Sequence, residues 1–496
     1  MILMEKQPEN HHYSNTRLSG GGYHSPDPDG DFHALKEYAK AMFSCENLPW
    51  MLEGEQSDIS DELAQIWAEY APKNEEFMKS LDSNYMTIWT NHAAFPGFPG
   101  AKDSKYAVAR STYTGKDEYR FRTPKQFDAS QKEAGEAFHA CLLNGIRSRN
   151  IRVHYGTRAR ELMVNENGEV IGVKAVQGDE QAVYIARRAV VITSGGYEYN
   201  REMRRAFLEG PGVEGYAFYG TTENTGDGIE MALKIGAGLS KIGNIAVHVV
   251  CAIPARRHGL KIGLNTPAVG KPNEIVVDNF GSRYAAERKI TKDPSRYIFY
   301  KEAIKFDIEK LIYPRIPSWM IFDETLRERG SVVRVSAAMI DWLDWGEDNI
   351  EAIRQGWILK GDTIEELAEQ IRRHPDNRGL MDTGTLVRTI ETYNRYCAMG
   401  HDPEFMREPE TMGPVSKPPF YAISLYPGGP NTKGGLKANA QRQVLDWSGR
   451  PIPRLYTAGE IASVFKFVYQ GGGNLAECIT FGRVAGRNAA SEKPWK

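Results

Sequence analysis

The chain has 496 residues, 41% of them hydrophobic and 25% charged, and its 62 Lys and Arg against 64 Asp and Glu leave a net charge of −2. That length suits two to four domains of about 150 residues each, and the charge balance excludes global disorder, a basic nucleic-acid footprint and strong attraction to anionic membranes. No run approaches the ~18 apolar residues that cross a bilayer. Cys45, Cys141, Cys251, Cys397 and Cys478 show no CxxC or His/Cys ligand spacing, which argues against a disulfide framework and against a zinc or other metal site. The start, MILMEKQ, has neither the basic n-region nor the long apolar core of a signal peptide, so a reducing, cytoplasmic setting is expected.

In chain order, residues 1–6 read as a short buried strand that runs into Glu5, followed by polar residues and Ser19-Gly20-Gly21-Gly22. Residues 61–80 read as helical, and 92–128, with their Gly, Pro and aromatics, as ordered loop. A helix is predicted from about 130 to 148, where Ala134, Ala137, Phe138, Cys141 and Leu142 recur on one face. Short strand-like runs follow at 151–155, 161–164, 169–176 and 182–193, with a turn at 165–168. The last run ends in Ser194-Gly195-Gly196, and a second Gly-rich turn at 224–228 precedes a helix carrying Ile229, Ala232 and Ile235. From about 245 to 430 charge rises and loops lengthen. There Thr363 and Glu366 form a capping box before Leu367, Ala368 and Ile371, and Leu386, Ile390, Tyr393 and Cys397 form a stripe that reads as core packing. The end is Gly-rich again at Lys433-Gly434-Gly435, Ala458-Gly459-Glu460 and 471–474. Alternating strands and helices with Gly at strand ends point to an α/β fold, with 1–244 and 432–496 as two parts of one domain and 245–431 inserted as a second.

The 48 glycines matter because they cluster. Glycine lets a backbone approach a phosphorylated cofactor closely, and glycine turns at the carboxyl ends of strands lie where open α/β sheets bind ligands. A strand ending in Glu suits a ribose, whose two hydroxyls one carboxylate can accept.

This order of motifs resembles the fumarate reductase and ketosteroid dehydrogenase superfamily of FAD flavoproteins, over nearly the whole chain. The resemblance implies a Rossmann-like FAD-binding domain with an inserted α+β substrate-capping domain, and noncovalent FAD. Residues 2–6 resemble the second strand of that domain, with Glu5 on the adenosine ribose and Lys6 beside it. Residues 14–22 resemble the flavin and pyrophosphate loop, which implicates Thr16, Ser19, Gly20 and Gly21. Residues 155–159 resemble the adenine segment, with Ala159. Thr193, Gly195 and Gly196, then Gly226 and Asp227, match the inner Gly motifs. Gly459, Glu460, Asn474 and Leu475 belong to the C-terminal FAD signature, and 418–422 and 432–436 match the end of the cap. The family's opening strand, GxGxxG turn and helix are absent. Charge-assisted bonds contribute ~1.5–3 kcal/mol each, so losing two or three removes on the order of 3–9 kcal/mol of FAD affinity. Either the natural product is longer than this chain or the protein is a degenerate flavoprotein; the intact remaining motifs favour the first.

The resemblance further implies hydride transfer at flavin N5 to or from a carbon next to a carbonyl, with a clamp for the carbonyl and a proton carrier. His248 falls on the first clamp histidine of the fumarate reductases. Their second histidine falls on Asn431, their clamp arginine on Gln470, and their proton-donor arginine near Lys292. The dicarboxylate site therefore reads as dismantled. Tyr469, with the backbone N–H of Gly473, resembles the ketone clamp of the ketosteroid dehydrogenases, and Phe465, Phe467, Phe95 and Phe98 could line an apolar pocket. The expected enzyme is an FAD-dependent oxidoreductase of CH–CH groups acting on an apolar ketone or enone, with His248 or Lys292 moving the proton and an unknown electron donor or acceptor as partner. The alternatives are a reductase of an unsaturated acid, with Lys292, Arg283 and His248 as a rearranged clamp, and a flavin-free relic.

Overall fold

The computed structural model describes residues 1–44, 59–91, 97–113, 134–246, 248–288, 295–335, 343–465 and 469–495. Parallel pairing occurs at two principal places. Ile2–Met4 pairs with Arg152–His154, and Val190–Ile192 pairs with the end of Pro451–Thr457, Leu455 facing Val190 and Thr457 facing Ile192. The two pairs belong to separate sheets. Their apolar residues Ile2, Leu3 and Val191 stay exposed, and both Ile2–Met4 and Val190–Ile192 border one cavity. Between them in sequence, Thr157–Val164, Val170–Gln177 and Glu180–Ile185 form an antiparallel meander.

The largest sheet has seven strands and is mostly antiparallel, with Phe420–Gly429 at its centre between His248–Arg257 and Ser318–Asp323. Ser318–Asp323 is buried along its whole length, because helices Ile364–Arg373 and Thr383–Met399 cover one face through Leu367, Ile371, Leu386, Ile390 and Tyr393. The capping box forms: the Thr363 hydroxyl accepts from Glu366 N, and the Glu366 carboxylate accepts from Asp362 N at 2.9 Å. Leu386 and Tyr393 are core, as the stripe predicts.

Three local predictions need correction. The helix expected over 61–80 is two, Ser60–Tyr70 and Asn74–Leu81, because Pro72 has no N–H to continue the first. The run 182–193 is two strands, Glu180–Ile185 and Val190–Ile192, separated by the charged pair Arg187-Arg188. Within 92–128, the described part includes the strand Ala107–Tyr113, paired to both Gly22–His24 and Tyr85–Asn91. It escapes a period-two reading because it is buried on both faces.

Candidate cofactor and substrate site

The carboxyl ends of the parallel strands open into a cavity of about 1950 Å³. That is roughly twice the upper size of a single drug-sized ligand site, so a dinucleotide and a second molecule fit together. Glu5, Lys6, Thr16, Ser19, Gly20, Ala159, Thr193, Gly195, Asp227, Gly459, Glu460, Asn474 and Leu475 border it, and so do Tyr469 and His248. Gly21, Gly196, Gly226 and Gly473 do not. Lys292, Phe95 and Phe467 lie outside the described residues.

Glu5 follows Ile2–Met4. Its carboxylate accepts from Gln7 N at 2.8 Å and lies 3.5 Å from His12 Nε2. Burial pulls this carboxyl upward, but the His12 and Gln7 hydrogen bonds and the Lys6 charge hold it below its ordinary value, so it is an acceptor at neutral pH. Lys6 is committed to Thr225 Oγ1 at 2.8 Å and Asp227 at 3.3 Å, and Asp227 also holds Arg158 in a two-pronged bond. These three side chains brace the wall where the second Gly turn meets the adenine segment.

Ser14 caps the short helix Asn15–Leu18, and the Ser19 hydroxyl donates to Thr16 O at 2.8 Å while accepting from Gly21 N. Gly21 has φ +64° and a Cβ there would meet Ala134 C at 2.3 Å, so this glycine lets two segments cross and is not a wall of the cavity. Gly196 acts similarly. A Cβ on it would lie 2.1 Å from Glu460 Oε1 and 2.2 Å from Thr432 Oγ1, and its carbonyl accepts from Gly226 N. The absence of a side chain admits a buried cluster that no sequence motif announces: Glu198 against Glu460. Asn15 Nδ2 donates to both carboxyl groups (3.3 and 3.2 Å), and Asn224 Nδ2 donates to Glu198 at 3.1 Å. Burial, then mutual repulsion, raises Glu460 well above the ordinary 4.5, and burial raises Glu198 as well. The folded pair thus keeps a proton that the unfolded chain has released. Its contribution to stability is complete below about pH 4.5 and is lost as pH rises through the raised value. Glu460→Gln is expected to flatten the decline of the thermal midpoint as pH rises above about 4.5, measured by calorimetry; an unchanged slope would rule the shared proton out.

Helix Gly473–Ser491 starts behind Gly472 (φ 92°), and Asn474 and Leu475 of its first turn border the cavity. The Gly473 N–H, expected to face a substrate carbonyl, instead donates to Gln470 O at 2.9 Å, because the turn that begins the helix closes on itself. Neutral His24 supports that turn: its Nε2 pairs with Gly471 O at 3.0 Å, Nδ1 pairs with Tyr106 OH, and burial pushes it down to about 3. Tyr38 OH donates to Gln470 Oε1 at 2.8 Å. Gln470 Nε2 and Asn474 Oδ1 are buried without a hydrogen-bond partner among the described residues, and Asn474 Nδ2 donates to Asn431 Oδ1 at 2.6 Å. His248, which also borders the cavity, begins a strand of the large sheet with its ring 6.2 Å from that of Tyr219. Arg283 does not border the cavity. It is buried between Glu287 and Asp402, each at 2.9 Å, with Tyr393 and Phe405 stacked on it.

The fold and the cleft define a dinucleotide-binding protein. The model of the FAD binding domain family matches residues 2–475, and the chain belongs to that family. A 3-ketosteroid delta1-dehydrogenase from Sterolibacterium denitrificans has the same fold: 22% identity, TM-score 0.75, covering 99% of this chain and 95% of that one. Among curated relatives, the NADH:acrylate oxidoreductase of Vibrio harveyi is 32% identical over 73% of this chain and 32% of its own length. The 3-oxosteroid 1-dehydrogenase of Mycolicibacterium smegmatis is 28% identical over 72% of this chain and 62% of its own. The chain thus spans less than two thirds of the length of either relative. The residues present fit FAD: an ionised carboxylate at a strand end, glycines bordering the cavity at Gly195 and Gly459 with φ +74° and +80°, and a helix start flanked by side-chain amide atoms without partners among the described residues. Among the described residues no helix is long and apolar enough to cross a membrane.

Proposed function

We propose that the protein is an FAD-dependent oxidoreductase that adds or removes hydrogen across a C–C bond beside the carbonyl of a neutral, largely apolar ketone or enone. The observation that carries this reading is Tyr469 on the cavity wall beside the helix start, with the neutral amide of Asn431 bordering the same cavity; the resemblance puts Asn431 and Gln470 where the fumarate reductases have cations. FAD, when bound, supplies the hydride-transferring N5. Glu5 would hold its ribose, the 14–20 and 193–195 segments its phosphates and flavin edge, and the amides of Asn474 and Leu475 its far end. His12 is engaged with the Glu5 carboxylate at 3.5 Å, which supports noncovalent binding. Tyr469 would donate its phenolic proton to the substrate carbonyl. Since the Gly473 N–H is committed to Gln470 O, the phenol carries the greater share of that polarisation. His248, which borders the same cavity, would carry the proton. The same proposal includes the finer fold: a Rossmann-like sheet interrupted between Ile2–Met4 and Val190–Ile192, with residues 245–431 inserted as the substrate cap. The electron partner is a small carrier that reaches this same cleft.

A second reading, reduction of an unsaturated acid, is favoured by Arg288 and Arg334, which border the cavity on the large-sheet side, and by the acrylate-reducing relative. Arg283 does not contribute to it, being buried away from the cavity and paired with Glu287 and Asp402. A titration separates the two readings. Cyclic enones are expected to perturb the visible spectrum of the flavin-loaded protein or reoxidise its reduced form, whereas acrylate-type acids are not. The opposite ranking would replace the first reading by the second.

A further inference from the structure

Behind Tyr469 lies a buried charge that the proposed chemistry does not use. Lys433 is 1% exposed, and so is its partner Glu477, with Nζ to Oε1 at 3.0 Å. The Lys433 ammonium also donates to Ser463 Oγ at 3.2 Å, the Ser463 hydroxyl donates to Glu477 at 2.9 Å, and Val464 N donates to the other face of the same carboxylate at 3.0 Å. The next residue, Phe465, presents its ring to the ammonium at 4.4 Å, and Tyr469 presents its own at 4.7 Å. The two rings meet edge to face at 6.0 Å. Lys241 donates to Val464 O, so lysines hold this loop on both sides.

A buried ion pair is a poor stability device. Stripping both ions of water offsets most of their attraction, and apolar side chains of similar volume commonly serve as well or better. What an apolar pair would not supply is a fixed positive charge against the face of the Tyr469 ring. A cation over a phenol is attracted more strongly as the ring gains negative charge, which is what happens when its hydroxyl shares a proton with a developing enolate oxygen.

Resting on the ketone reading above, we propose that Lys433 is a positioning residue for Tyr469: it fixes the ring over the cleft and strengthens the phenol as a hydrogen-bond donor. The test is a double-mutant cycle on the flavin-loaded protein. The neutral swap Lys433→Met with Glu477→Gln leaves no unpaired charge, because Gln can still accept from Val464 N and donate to Ser463 Oγ. It is expected to lower kcat on an enone about tenfold with little change in KM, to leave flavin content unchanged, and to have no further effect in a Tyr469→Phe background. An equal loss in both backgrounds would overturn the proposal. A Tyr469→Phe variant as active as the parent would overturn the reading beneath it instead. A readout that leaves Lys433 untouched covers failure of the swap to fold: the ultraviolet phenolate titration of the parent minus that of Tyr469→Phe isolates one tyrosine. Lys433 is expected to bring its midpoint below the ordinary value of about 10, and a midpoint at or above that value counts against the proposal.

Discussion

Replacing Arg407 with Met is expected to destabilise the protein by about 3–5 kcal/mol, the usual consequence of removing one partner from a buried ion pair. Arg407 has no exposed surface, nor do Glu274 and Glu287. Its guanidinium lies 2.8 Å from Glu274 Oε1 and 3.1 Å from Glu287 Oε2, and it donates to the carbonyls of Lys271, Glu274 and Thr411 at 2.7, 2.8 and 2.9 Å. With Arg283 and Asp402 the cluster holds two cations and three carboxyl groups. Burial pushes Glu274 up to about 8, and Glu287 adds to the rise. Glu274 Oε2 has no partner among the described residues, and a proton held on Glu274 brings the cluster close to neutral. Glu287 is the opposite case: despite burial, Arg283 and Arg407 hold it down at about 2. The stability it contributes is present above its ordinary 4.5 and is lost as pH falls toward 2. The deficit of Arg407→Met should therefore be greatest near neutrality and narrow below pH 4.5, and Glu287→Gln should recover part of it. Chemical denaturation at two pH values checks this; a deficit under about 1 kcal/mol at neutral pH would mean the cluster is wetter than described.

Readable in the sequence were the features that depend on local periodicity or on glycine: the helix Ala134–Ser148, the capped helix Ile364–Arg373, the stripe in Thr383–Met399 and the glycine turns at strand ends. These signals are short-range, so they survive without knowledge of the fold. The charged clusters were not readable, because their members lie far apart. Glu198 and Glu460 are separated by 262 positions, and Arg407 and Glu274 by 133. The motif reading assigned Gly196, Gly226 and Gly21 to the cofactor; none of them borders the cavity, and a Cβ on each would meet a neighbouring part of the chain. A glycine required for close approach looks the same in sequence whether a ligand or another stretch of chain approaches. Asn15 stood inside a quoted motif without a role. Its place became apparent only when its amide bridged two carboxyl groups.

Tyr469→Phe is expected to lower turnover of a ketone or enone about 10²–10³-fold, the effect of deleting one donor aimed at a developing oxyanion. The substitution removes one oxygen and keeps the ring, so its packing against Phe465 and the Lys433 ammonium survives and neither fold nor flavin content should change. The loss should fall on kcat more than on KM, since the phenol's bond to a neutral carbonyl strengthens only as that oxygen acquires charge. Steady-state rates with a cyclic enone and with an unsaturated acid provide the contrast. A large loss for the enone alone supports the ketone clamp. An enzyme that turns over the acid and is indifferent to Tyr469 would shift the chemistry to Arg288 and Arg334, which border the same cavity.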